Sequence, residues 1–211
     1  MMSQEPDTQY AFLVEEVKSA GATDAILIHA SDIVIEERIQ LKCKTGCPSY
    51  GQRFSCPPFA PTISEFKQML QEYQDALLIR FKSSVIAEPE IVHSLLKNRT
   101  DPAVSRDIKK RTSQFNEALN EESRKIHDIM LELERTAFLA GNPFAQAFTV
   151  DSCDHCKSCN IKGGVCMHPT ELRYSIEAVG INIVKTAQAA GMQITFPCPI
   201  PPDRITLLLI K

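Results

Sequence analysis

The spacing of apolar residues along this chain changes between segments, and each spacing predicts a different element. Apolar residues three and four positions apart lie on one face of a helix. This pattern predicts helices at residues 7–21, 62–74, 104–140, 170–180 and 182–191. Short alternating or continuous apolar runs are typical of strands. They predict strands at residues 24–29, 33–41, 75–83, 145–150 and 203–211.

Capping and breaking residues support several of these boundaries. The first helix ends at Gly21, a common C-terminal cap. The second begins with Thr62 and has Glu65 three positions later, which is the pattern of a capping box. Gly141 and Pro143 follow the long helix, and both residue types disfavour helix continuation. The sequence therefore predicts strands separated by well-bounded helices.

This order of elements predicts an α/β fold, with α+β as the alternative. We expect one domain over residues 1–211, with one mixed sheet flanked by helices. Two cysteine-rich loops, at residues 43–58 and 153–169, follow predicted strands. Because loops on a rigid scaffold often carry function, these two are the candidate metal-binding loops.

The composition limits what the cysteines can do. A chain of 211 residues is long enough to bury a core without disulfides, and no apolar run reaches the length of a membrane span. The first residues are acidic and polar, unlike a signal peptide, so we expect a cytoplasmic protein with no membrane partner. Disulfides rarely persist in that compartment. The net charge of −3 argues against a nucleic-acid partner.

Seven of the eight cysteines fall in the two loops, whereas buried structural cysteines are usually scattered singly. In the second loop, Cys153, Cys156 and Cys159 form C-x2-C-x2-C, and Cys166 follows. Bacterial ferredoxins use this run, with a fourth cysteine, to hold a [4Fe-4S] cluster. We therefore predict that these four cysteines are the ligands of an iron–sulfur cluster.

Zinc is the alternative metal for the second loop. Structural zinc takes four cysteines, commonly as two C-x2-C pairs separated by a longer spacer. Zinc here could use Cys153 with Cys156, or Cys156 with Cys159, and either choice leaves one thiol over. His155 and His168 are further possible ligands, although a solvated loop histidine and a histidine in the first turn of a helix are the simpler interpretations.

The first loop supplies three more predicted metal ligands, Cys43, Cys47 and Cys56, at a spacing that is less standard. Two of them precede proline, which fixes the backbone and removes a hydrogen-bond donor. A fourth ligand is missing from this loop. Either Cys198 supplies it, or one iron stays open and binds substrate or solvent as a Lewis acid.

Three segments together carry a resemblance to a known family. They are the first loop, CKTGCPSYGQRFSCPP, the segment LERTAFLAGNPFAQAF, and the second loop with RYSIEAVGINI behind it. In this order they resemble a family catalogued as predicted metal-binding proteins of unknown function, common in anaerobic bacteria and methanogenic archaea. Relatives usually have Pro and Met where this chain has Tyr174 and Ile176. The resemblance covers most of the chain and implies metal binding, with iron–sulfur favoured, but no established reaction.

Three functions are compatible with these features. The first is a redox or electron-transfer accessory protein that carries one or two [4Fe-4S] clusters and meets a redox partner protein. The second is an enzyme that uses an open-site iron–sulfur cluster on a small molecule. The third is a zinc-stabilised binding module. The charged face of the long helix is either solvated, as helical charge patterns usually are, or packed against a second copy in a homodimer.

Overall fold

The computed structural model describes residues 8–95 and 104–211. The helices in these ranges are α1 (Ala11–Ser19), α2 (Gln40–Lys44), α3 (Ile63–Leu70), α4 (Pro89–Leu95), α5 (Arg106–Leu139) and α6 (Ile183–Ala189). The strands are β1 (Asp24–His29), β2 (Asp75–Phe81), β3 (Gln146–Phe148) and β4 (Arg204–Ile210). Short 3-10 turns occupy Thr8–Tyr10, Ala30–Asp32 and Glu37–Ile39.

The four strands pair into one sheet in the order β1-β2-β4-β3, and every neighbouring pair is antiparallel. Leu77 at the centre of β2 lies opposite Leu27 of β1 and Leu208 of β4. Ala147 of β3 lies opposite Leu208 on the other side. A single sheet flanked by helices confirms the predicted fold class. The sheet is antiparallel rather than mixed, so α+β is the more accurate description.

One face of the sheet packs against α1 and α5. Alternate side chains of a strand point to opposite faces, and Leu77 and Ile79 of β2 join the buried cluster on this side. Met130 and Leu133 of α5 and Leu13 of α1 complete the centre of the cluster, and all three are almost fully buried. The long helix is therefore held along one wall of the domain by its apolar face.

The opposite face of the sheet is covered by shorter elements. Ala76 and Leu78 of β2 point to this side and pack with Phe66 of α3 and Ala187 of α6. Apolar side chains from residues 174–181 fill the rest of this layer. The central strands are thus buried on both faces, which explains their nearly continuous apolar sequences.

Four of the five predicted helices are present in the structure, each within its predicted range. The capping box of α3 is formed, because the Glu65 N–H donates to Thr62 Oγ1 (3.2 Å) and the Thr62 N–H donates to the Glu65 carboxylate (2.8 Å). Gly21 follows α1 with a φ of +112°, a conformation that favours glycine. The long helix spans Arg106–Leu139, within the predicted 104–140. Position 7, the predicted start of the first helix, lies outside the described residues.

The predicted strand at residues 33–41 is wrong. Only Ile35 pairs there, in an isolated bridge with Ile181, and the chain then turns into α2. The next residue, Glu36, uses its carboxylate to accept a hydrogen bond from Asn182 (2.7 Å). An alternating pattern forms a strand only where its surroundings allow a ladder, and here these tertiary contacts replace the ladder.

The predicted helix at residues 170–180 is also wrong. The N–H of Thr149 donates to the carbonyl of Tyr174 (3.0 Å), and the N–H of Ile176 donates to the carbonyl of Thr149 (3.3 Å). These bonds use backbone groups that a helix would need for its own i to i−4 ladder. The segment therefore lies alongside the end of β3 as an extended and turned strap.

Candidate metal centre

The two cysteine loops meet near the end of the sheet where β3 finishes and β4 begins. The second loop follows β3 and the bridge at Thr149, as predicted. The first loop does not follow a strand, which corrects the prediction. Cys43 lies in α2, and Cys47 and Cys56 lie in the irregular segment after it. The cause is the missing strand at 33–41, since that segment turns into α2.

Hydrogen bonds join the two loops directly. Arg53 donates from Nη1 to the carbonyl of Cys156 (2.6 Å) and from Nη2 to the carboxylate of Asp154 (3.3 Å). The backbone N–H of Cys153 donates to the Oγ of Ser55 (2.9 Å). Because Arg53 and Ser55 lie between predicted ligands of the first loop, the two loops form one connected unit.

The four cysteines of the second loop, which we call the four-cysteine group, act on one another electrostatically. Burial is the main cause of the raised pKa of the Cys153 thiol, and negative charge at Cys159, Cys166 and Cys156 raises that pKa further. All four side chains are partly buried. The fold therefore brings the four predicted ligands of this loop into one neighbourhood.

The three cysteines of the first loop, which we call the three-cysteine group, also act on one another electrostatically. Burial raises the pKa of the Cys56 thiol to about 11; a hydrogen bond with Ser55 opposes the rise, and charge at Cys47 and Cys43 adds to it. Burial also raises the pKa of Cys43, followed by charge at Cys47 and at Glu177. The carboxylate of Glu177 is thus part of the surroundings of this group.

The thiols approach one another without adopting a coordination geometry. Within residues 8–95 and 104–211, no three histidine, cysteine, aspartate or glutamate side chains are placed so that they could hold a metal ion together. The donor chemistry does fit zinc or an iron–sulfur cluster, because all eight cysteines are free and soft thiolates suit both. Metal binding at these thiols has to release their protons.

Three histidine rings pack together, two of them from the second cysteine loop. The rings of His127 and His155 pack edge to face with centroids 4.6 Å apart, and the His168 ring lies 6.0 Å from that of His155. His155 is not the expected solvated histidine, since its side chain is only 17% exposed. Its buried Nε2 has no hydrogen-bond partner among the described residues. Buried polar atoms normally have a partner, so this nitrogen is an available donor or acceptor beside the second loop.

The structure also identifies a histidine that sequence reasoning did not select. His127 lies on the buried face of α5, next to the apolar Ile126. Its Nε2 is 2.7 Å from the carbonyl of Glu171, and burial lowers its pKa. The sequence signal that could have identified His127 is a titratable side chain within the apolar face of the helix.

A cavity of about 550 Å³ opens beside the three-cysteine group. All three of its cysteines line this cavity, together with Glu177 and Asp151. Cys198, the predicted alternative for the fourth ligand, is exposed and lines a second cavity of about 560 Å³, to which no other cysteine of the described ranges contributes. The two cavities share Glu177 and Lys42 in their linings, but Cys198 does not line the cavity of the group it was expected to complete.

Asp151 has an unusual backbone conformation at the junction of the two loops. Its φ of +55° lies in the left-handed region, which a non-glycine residue adopts at some cost and often at functional sites. Its carboxylate accepts hydrogen bonds from Ser123 Oγ (2.9 Å) and Arg204 Nη1 (2.8 Å). The buried Nε of Arg204 has no partner within the described part of the chain. These contacts hold the side chains of Asp151 and Arg204, both of which line the cavity.

Paired cysteine loops held together at one end of an α+β fold define a thiol-rich metal-binding protein. The family model described as "Predicted metal-binding protein (DUF2284)" matches residues 26–210, and the chain belongs to this family. The comparisons with curated proteins and with solved structures each found no match. None of the helices in the described ranges is long and apolar enough to cross a membrane. The family confirms the resemblance and supports metal binding, without specifying the metal.

Proposed function

We propose that this protein carries two iron–sulfur clusters, one on each cysteine group, and transfers electrons through them. The observation that carries the proposal is the four-cysteine group, because its C-x2-C-x2-C spacing is the one that holds [4Fe-4S] clusters in ferredoxins. A structural zinc site usually takes two separate C-x2-C pairs. The pairs in this loop overlap instead, which favours a cluster over zinc.

Each part of the two cysteine loops has a role in this proposal. The ligands are the thiolates of Cys153, Cys156, Cys159 and Cys166 in one centre and those of Cys43, Cys47 and Cys56 in the other. A bound cluster supplies one-electron redox chemistry. Arg53 neutralises Asp154 and fixes the backbone at Cys156, so it holds the two loops in a fixed relative position.

The contact between the loops supports electron exchange between the two centres. Ser55, which precedes Cys56, accepts a hydrogen bond from the N–H of Cys153. Ser55 is fully buried, so water does not compete for this bond. One hydrogen bond and a short stretch of backbone therefore connect a ligand of each group, as expected if the two centres work together.

Purification under strict exclusion of oxygen tests the proposal. We expect a brown protein with about eight iron atoms and about eight inorganic sulfides per chain, since two [4Fe-4S] clusters contain this number. Its broad visible absorption should bleach on reduction with dithionite. The same protein purified in air is the control, and we expect it to have lost iron. A colourless anaerobic preparation with stoichiometric zinc would contradict the proposal.

The surface next to the four-cysteine group suits an acidic redox partner protein. Val165 and Met167, on either side of Cys166, are 62% and 66% exposed. Lys157 and Lys162 are exposed nearby and make no ion pair with the described residues. Exposed apolar side chains with unpaired lysines in the same loop favour a partner with negative charge around its own redox centre.

Charge reversal at this surface should slow electron transfer without loss of the clusters. We expect Lys157→Glu combined with Lys162→Glu to lower the rate of reduction by a reduced acidic flavodoxin about tenfold at low salt, because rim charges act mainly on the association rate. Stopped-flow absorbance measures this rate. Lys18→Glu is the control, because Lys18 is an exposed lysine at the end of α1. Equal rates for both variants with full iron content would exclude this docking surface.

A further inference from the structure

The three-cysteine group lacks one ligand if it holds a four-iron cluster. Each thiolate of such a cluster takes one iron, so Cys43, Cys47 and Cys56 account for three of the four corners. The four-cysteine group needs its own four thiols, and Cys198 is not among the residues that line the cavity beside Cys43, Cys47 and Cys56. The lining of this cavity therefore offers no fourth cysteine for the remaining corner.

Glu177 is the side chain best placed to supply an oxygen ligand. It lines the same cavity as the three cysteines and is partly buried. Its position relative to Cys43 is fixed by the backbone, because Gln40 at the start of α2 donates from Nε2 to the carbonyl of Ala178 (2.9 Å). The N–H of Ala178 also donates to Ser175 Oγ (3.2 Å), which fixes the turn that carries Glu177.

The cavity extends well beyond this carboxylate. At about 550 Å³ it is in the range of small-molecule sites. Asn116 and Asn120, one turn apart on α5, contribute amide groups, and Phe115 and Leu119 contribute an apolar wall. Lys42 lines the cavity as well and makes no ion pair with the described residues. This combination suits a small organic molecule that has an apolar skeleton and an anionic end.

We propose that the centre held by the three-cysteine group is a small-molecule binding site, in which Glu177 is the fourth ligand and a small carboxylic acid from the cavity takes its place. A carboxylate is a hard donor and the cysteine thiolates are soft, so on this centre the oxygen ligand is the exchangeable one. Lys42 then attracts the incoming acid, and the apolar wall holds its carbon chain. The inference rests on the iron–sulfur assignment proposed above.

Electron–nuclear double resonance on the reduced, anaerobically purified protein tests this site, with carboxyl-¹³C-labelled butyrate as the probe. We expect a ¹³C coupling in the unaltered protein. Glu177→Ala should keep its iron and bind butyrate about tenfold more tightly, because removal of an internal competitor raises the fraction of the binding-competent state. Glu177→Cys should keep its iron and lose the coupling, because a fourth thiolate closes the site.

Two further variants keep the result decisive. Glu177→Gln preserves the shape of the side chain and replaces Glu177→Ala if the latter loses iron. Glu132→Ala, an exposed carboxylate on α5, should bind butyrate like the unaltered protein. Full iron content with no ¹³C coupling in the unaltered protein, Glu177→Ala and Glu177→Gln would overturn the inference. A coupling that persists in Glu177→Cys would overturn it too. A preparation without iron refutes the iron–sulfur assignment itself, which is a distinguishable result.

Discussion

Replacing Cys156 by alanine is expected to remove about four of the eight iron atoms per chain, because a [4Fe-4S] cluster rarely survives the loss of a thiolate ligand without a substitute. The Cys156→Ala protein should keep the signal of the other centre in electron paramagnetic resonance. Iron and sulfide analysis on anaerobic protein measures the loss. Cys156 is only partly buried, so its replacement disturbs packing less than a core substitution would.

Two other cysteines make this experiment diagnostic. Cys56→Ala should remove the complementary four iron atoms and leave the four-cysteine centre spectroscopically intact, although Cys56 is buried and its loss also leaves a small void. Cys198→Ala is the matched control, because Cys198 is exposed and does not line the cavity of the three-cysteine group. Unchanged iron in Cys56→Ala would show that the first loop holds no metal. Iron loss in Cys198→Ala would return Cys198 to the ligand set.

Local patterns were sufficient to predict most of the elements. The long helix and the capping box at Thr62 depend on residues that lie close together in sequence, and both are confirmed. The two errors, at 33–41 and 170–180, have a common origin. These segments pair with each other or with the end of β3, as the hydrogen bond from the N–H of Glu36 to the carbonyl of Gly180 (2.9 Å) shows. Such long-range partners cannot be read from the periodicity of either segment alone.

The same limit applies to the candidate site. Cysteine spacing was sufficient to predict candidate ligands, because the cysteines of one loop are close in sequence. The contacts of Ser55 and Arg53 with the second loop span about a hundred residues, and nothing in their local sequence identifies them. Glu177 lies inside RYSIEAVGINI, one of the segments that resemble the family, and this resemblance was the sequence signal that pointed to it. Its role beside Cys43 became visible only when the strap at 170–180 was seen to lie against α2.

The largest effect on stability is expected from Arg173→Ala, at about 3 kcal/mol lost from the free energy of unfolding. Arg173 and Glu134 form a nearly buried pair, with side chains 14% and 16% exposed, and the Arg173 Nε donates to the Glu134 carboxylate at 2.8 Å. The same carboxylate accepts the N–H of Ala147 in β3 (2.6 Å). Removal of the guanidinium leaves a buried carboxylate without its counter-charge, and it also removes one of the contacts between the strap at 170–180 and α5, where the contact of His127 with Glu171 remains.

Urea unfolding followed by far-ultraviolet circular dichroism, under identical anaerobic conditions, measures this loss. Adding Glu134→Gln to Arg173→Ala should recover part of the stability, because the unpaired charge is then gone while the amide oxygen of the new side chain still accepts from β3.

Arg135→Ala is the matched control. Its side chain is 70% exposed and 3.8 Å from Glu132, so we expect a change within about 0.5 kcal/mol. If Arg173→Ala unfolds at the same urea concentration as Arg135→Ala, the pair does not hold the strap, and its position must depend on its other contacts, those with Thr149, His127 and α2.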